Sequence, residues 1–178
     1  MHILTLVDLQ NTFLDSLDEM DGGIALHDLI DNVCKVVTLF KKKNYPIIAL
    51  HYQLEHGFEL HIPEDKRDWE SLYLTHHRIR DAIGDYDKFH VKWKCRDDGS
   101  VQVKNVMKQH NYKGQIYLAG VNGCACVKST WRGLCKVGKN RYSTVAISEA
   151  TRNVFDDDPV EQFIPSVVKM DNLEHMLT

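Results

Sequence analysis

The chain has no surplus of positive charge. Its 22 lysines and arginines stand against 25 aspartates and glutamates, for a formal net charge of −3. Without a basic excess there is no electrostatic case for binding nucleic acid or an anionic membrane surface. No apolar run approaches the ~20 residues that a membrane span requires, and Asp8 interrupts the first apolar stretch too early for a signal peptide. Cysteine is present in an odd number and without a disulfide-scaffold spacing. The five thiols, Cys34, Cys95, Cys124, Cys126 and Cys135, therefore read as free thiols of a reducing cytoplasm. Internal repeats, low-complexity runs and linkers are missing too. What is there, 178 residues of which 43% are hydrophobic and 26% charged, suits one globular domain over residues 1–178.

Hydrophobic periodicity gives alternating strands and helices. Residues 2–9 form a short apolar strand ending in a carboxylate. In residues 24–43, Leu26, Leu29, Ile30, Val33, Val37 and Phe40 recur at helical steps, and Asn44-Tyr45-Pro46 ends that helix. Strands are predicted at 46–52, 89–93, 115–119, 142–148 and 166–170. Helical segments are predicted at 70–83, 100–110 and 125–137, with a short piece at 159–163, a last turn in the tail, and a polar, histidine-containing loop over 53–68. Such alternation implies an α/β fold: a three-layer, mostly parallel six-stranded sheet with helices on both faces, Rossmann-like in its layers.

Residues 116–130, IYLAGVNGCACVKST, are the most informative stretch. A buried strand breaks at Gly120, a short loop follows, and Cys126 falls at the predicted start of a helix. A thiolate is favoured there by the helix dipole and by unpaired N–H groups, and those groups can also hold an oxyanion. A small buried residue in a tight turn is the plain alternative. In parallel sheets the ligand crevice lies beyond the carboxyl ends of the strands. That rule brings Asp8, Lys92 and Cys126 to one rim: an acid, a base and a thiol, a coherent set for nucleophilic chemistry. Each has a bland reading as well. Asp8 can cap a turn, and a lysine at the end of a strand is more often solvated.

VDLQNTF (7–13), HVK (90–92) and LAGVNGCACVKST (118–130) together resemble the isochorismatase-like cysteine hydrolase superfamily, which includes nicotinamidases and N-carbamoylsarcosine amidohydrolases. The family's opening D-x-Q-x-x-F is matched by Asp8, Gln10 and Phe13. Its nucleophile motif is matched by Ala119, Gly120, Val121, Cys126 and Val127, and SEATRNVF (148–155) resembles its acidic segment after the fifth strand. The resemblance implies Asp8 as general base, Lys92 as the charge-stabilising member of a triad, and Cys126 as nucleophile. It implies a cis Val121–Asn122 bond, with the amides of Asn122 and Cys126 as the oxyanion hole. Cys124 then becomes a spectator. The implied activity is hydrolysis of an amide or related C–N bond of a small molecule through a thioester, with Phe13 and Trp93 lining the substrate pocket.

The departures from the pattern are equally specific. Where nicotinamidases carry D-x-H for a metal, this chain has His51 and Gln53. Gln53 is a poor ligand, so neither metal nor cofactor is expected, although His51, His56 and His61 leave a different site open. After Lys92 the family commonly has a serine-containing turn, whereas here WKCRDDGS follows, and Lys94 becomes a rival for the triad lysine. Alternation cannot choose between two lysines two residues apart on one strand. The remaining alternatives are a nicotinamidase with an altered metal site, or an idle member binding a small molecule or a protein. Many members form oligomers, so a homo-oligomer stays open.

Overall fold

The computed structural model describes residues 1–14, 24–53, 74–136, 142–153 and 158–178. Six parallel strands run through it: β1 (His2–Val7), β2 (Ile47–Tyr52), β3 (Phe89–Lys94), β4 (Gln115–Val121), β5 (Thr144–Arg152) and β6 (Val167–Val168). Their order in the sheet is β3-β2-β1-β4-β5-β6, every pairing parallel. The helices are α1 (Ile24–Lys42), α2 (His77–Ile83), α3 (Ser100–Gln109), α4 (Lys128–Cys135) and α5 (Met170–Met176).

Near-continuous burial of the central strands follows from having helices on both faces. One core joins Leu4, Leu6, Ala49, Tyr117 and Ala119 to Val33, Val37 and Phe40 of α1, Ile79 and Ile83 of α2, and Leu173 of α5. The other joins Ile3, Val7, Ile48, Leu50, Ile116 and Leu118 to Val103, Val106 and Met107 of α3 and to Leu134 of α4. The three-layer α/β expectation holds, and element boundaries move by a few residues. The predicted helix 125–137 is instead a π-helical turn, Gly123–Val127, leading into α4. The fifth strand runs on to Arg152, past its predicted end at 148. The part of the predicted 70–83 helix before residue 74 lies outside the described residues, as does most of the 53–68 loop.

The strand order reverses direction between β1 and β4. The chain builds outward to β3 on one side and then crosses to build β4, β5 and β6 on the other. A crevice opens at such a switch point, at the carboxyl ends of the strands. Gly120 makes this seam close. It pairs with Val7 in register, and a Cβ on it would lie 2.1 Å from the Val7 carbonyl oxygen. Its φ of +146° is equally unsuited to a side chain.

Candidate active site

Asp8 ends β1 with a φ of 55°, a left-handed turn that an aspartate tolerates better than most residues. Its N–H donates to the Leu50 carbonyl (3.0 Å), which ties the turn to β2. Gln10 makes a second tie: its Oε1 accepts from the Tyr52 N–H (2.6 Å), and its Nε2 donates to the Tyr52 carbonyl (3.2 Å). The D-x-Q motif thus clamps the end of β2 beside the carboxylate.

Across that clamp lies a lysine, and it is Lys94. Its Nζ is 2.9 Å from Asp8 Oδ2, with both side chains about 1% exposed. The ammonium also donates to the Arg96 carbonyl (3.2 Å) and stands 4.4 Å from the centroid of the Tyr52 ring. Lys92, the lysine expected here, is half-buried lower on the strand. The register explains the difference, since Lys92 pairs with Leu50 and Lys94 with Tyr52. Two residues at 3.3 Å each place Lys94 about 6.6 Å nearer the carboxyl edge where Asp8 turns. Gly99 closes over the lysine stem. A Cβ there would meet Leu50 Cδ1 at 2.4 Å and Lys94 Cδ at 3.1 Å, so a side chain at this turn would press on Leu50 and on the lysine stem.

Cys126 sits within the π-helical turn after β4 and is buried. Asn122, at φ 57° and ψ 59°, turns the chain out of the strand, and its carbonyl accepts from the amides of Ala125 (2.9 Å) and Val127 (3.2 Å). The described residues contain no cis peptide bond. The expected cis Val121–Asn122 link is therefore trans, and the left-handed Asn122 makes the turn instead. Cys124 faces the other way and donates to Asn153 Oδ1 (2.9 Å).

An open cavity of about 160 Å³ joins these groups, lined among the described residues by Asp8, Phe13, Tyr52, Asp97, Asn122, Ala125 and Cys126. That is below the 300–1,000 Å³ of sites for drug-sized ligands. Phe13 lies where it was expected, its ring edge-on to Tyr52 with centroids 6.3 Å apart. Trp93 does not line the cavity. It stands on the other face of β3 from Lys94, 46% exposed, edge-on to His51 at 5.1 Å. Tyr52 is the second aromatic of the lining, missed because it closes an apolar strand and reads as core.

The electrostatics differ from the sequence expectation in one respect. Burial pushes the Cys126 thiol well above its ordinary range, and the Asp8 charge pushes it further. The resting form is the thiol, not the thiolate that a helix N-terminus favours. Burial also raises the Asp8 carboxyl, with Lys94 pulling the other way. Asp8 Oδ1 is buried and makes no hydrogen bond at ordinary distance. The Cys126 thiol itself donates, at 3.7 Å, to Asp97 Oδ1. Asp97 was missed: in an acidic pair on a polar turn, nothing distinguishes it from a solvated residue.

His51 is buried, with Nε2 2.8 Å from Thr75 Oγ1, and burial pulls its pKa down to about 4. Gln53 is exposed. His56 and His61 lie outside the described residues. Among the described residues no group of three or more histidines, cysteines, aspartates or glutamates is placed to hold a metal, and no helix is long and apolar enough to cross a membrane.

An acid–lysine pair and a buried thiol thus lie together at the switch point of the parallel sheet of an α/β protein. Residues 2–170 match the model of the isochorismatase domain, and the chain belongs to that family of hydrolases. Among solved structures it is similar to the MAR1 ribonuclease from Caenorhabditis elegans (12% identity, TM-score 0.68, covering 99% of this chain and 80% of that one). It is also similar to the nicotinamidase/pyrazinamidase from Bacillus subtilis (14%, 0.65, 86% and 87%) and to the N-carbamoylsarcosine amidase from Thermoplasma acidophilum (15%, 0.64, 87% and 86%). At these identities the likeness is one of fold. No curated protein matches the chain.

Proposed function

We propose that the protein is a cysteine-dependent hydrolase of a small-molecule amide or related C–N bond, acting through a thioester with Cys126 as nucleophile, Asp8 as general acid–base and Lys94 as the fixed charge. The observation that carries this reading is the buried Asp8–Lys94 ion pair, whose Asp8 lines the cavity that Cys126 also lines. Lys94 occupies Oδ2 of the carboxylate and leaves Oδ1, without a hydrogen bond, to receive a proton.

As substrate enters, Asp8 takes the thiol proton and sulfur attacks the carbonyl carbon. The resulting oxyanion is held by the amides of Asn122 and Cys126, two residues of the cavity wall. Collapse breaks the C–N bond, and the amine leaves with the proton returned from Asp8. Water, deprotonated by the same carboxylate, then attacks the thioester and releases the acid with the thiol restored. Burial raises the proton affinity of the Asp8 carboxyl, which suits it to take up and return a proton.

The test is release of ammonia or amine from a panel of small amides, ureides and nicotinamide. Cys126→Ser is expected to lose turnover while keeping the fold, and Cys124→Ser to retain most of it. A mass increment on Cys126 in quenched reactions would mark the acyl-enzyme. Undiminished turnover by Cys126→Ser would remove the nucleophile from the scheme.

A further inference from the structure

Two adjacent aspartates follow β3, and the fold uses them differently. Both are exposed, but Asp98 bonds locally, its Oδ1 accepting from the Ser100 N–H (2.7 Å) at the start of α3. Asp97 keeps its side chain at the cavity. Its backbone is fixed, because Thr130 Oγ1 donates to the Asp97 carbonyl (3.3 Å) and accepts from the Gly99 N–H (3.0 Å), bracing the turn against α4. The cavity therefore holds two carboxylates, Asp8 and Asp97. Lys94 is already paired with Asp8, and among the described residues no lysine or arginine forms an ion pair with Asp97. Asp8 lines the same space, and its Oδ1 is buried with no hydrogen bond at ordinary distance. The aromatic part of the wall is Phe13 and Tyr52, the latter already beneath the Lys94 ammonium.

We propose that Asp97 is a specificity-determining residue that selects substrates carrying a cationic group, an ammonium or amidinium, next to the scissile carbonyl. This deepens the hydrolase reading and rests on it for the reaction. The Asp97 carboxylate accepts the Cys126 hydrogen bond and adds a smaller contribution to the burial and the Asp8 charge that disfavour the thiolate. A substrate cation on Asp97 offsets that smaller contribution and holds the carbonyl beside the sulfur, while Asp8 still takes the thiol proton.

The experiment uses matched pairs of probes differing in one charge. The first pair is 2-bromoethylammonium and 2-bromoethanol, each alkylating Cys126 as sulfur displaces bromide and forms a C–S bond. Site-resolved mass spectrometry follows the rate. The second pair is a cationic and a neutral amide of equal size, compared by kcat/KM. In the wild type the cationic probe is expected to lead by about tenfold after correction for intrinsic reactivity, the effect of one partly screened charge. Asp97→Asn is expected to bring the ratio near one, and Asp97→Glu to keep most of it. An unchanged ratio in Asp97→Asn, or a wild-type preference for the neutral probe, overturns the proposal. If the alkylation ratio behaves as expected while neither amide is hydrolysed, cation selection stands and the hydrolase reading fails.

Discussion

Replacing Lys94 by methionine keeps the length of the stem and removes the charge. Asp8 would then stand at 1% exposure with its ion partner gone. Removing one member of a buried pair typically costs about 3–5 kcal/mol, because the remaining charge has neither water nor counter-ion. In a domain of this size each kcal/mol moves Tm by roughly 2–4 °C, so Lys94→Met is expected to melt about 6–20 °C lower at pH 7. The loss also carries a pH signature. The Asp8 carboxyl is already raised by burial, and Lys94 is the main opposing influence, so the variant raises it further. A carboxyl that holds its proton more tightly when folded than when unfolded makes the protein less stable as pH rises. The deficit of Lys94→Met should accordingly shrink between pH 7 and pH 5, as Asp8 protonates and its charge disappears. Lys92→Met, altering a half-buried strand lysine away from the pair, should shift Tm by little at either pH. Turnover of Lys94→Met should fall by a factor of ~100 or more, as for loss of a positioned charge. Scanning calorimetry of the two variants at both pH values decides the matter. Equal Tm values, or a deficit independent of pH, would refute the reasoning.

The remaining expectations are brief. His51 is held neutral by burial at a pKa of about 4, below its unfolded value. The folded state therefore binds fewer protons, and this histidine should cost stability as pH falls from about 6.5 towards 4. His51→Gln should flatten that limb of a Tm-versus-pH curve; an unchanged slope would mean His51 does not titrate there. Gln53 stands exposed and His51 is turned to Thr75, so purified protein is expected to hold no stoichiometric zinc or iron, with activity unchanged by chelation. Elemental analysis finding about one metal per chain, and inactivation on its removal, would favour the altered nicotinamidase site instead.

The alternation of apolar strands with helical periodicities was enough to give the layers and the parallel sheet, because both signals are local. Asp8 and Cys126 were legible for the same reason: each follows a short apolar strand whose carboxyl end is the functional end of such a sheet. The π-helical turn at Gly123–Val127 was not, since one extra residue in a helical turn leaves no periodic trace over so short a span. Its consequence is a buried thiol whose proton is held by desolvation and by Asp8.

Local signals in the sequence were enough for the fold class, the family motifs and two of the three groups proposed for the reaction. Which lysine joins them was decided by the tertiary structure. Lys92 and Lys94 share a face, and period-two alternation carries no information about depth along a strand. The pairing of β3 with β2 supplies that depth, carrying Lys94 to the level of Tyr52 and the Asp8 turn. Asp97 was decided in the same way. Thr130, thirty-three residues further along the chain, fixes its backbone, and Asp98 is taken up by α3. Two identical neighbours in sequence thus become a capping residue and a residue of the cavity, one through a local bond to Ser100 and the other beside a backbone braced by Thr130.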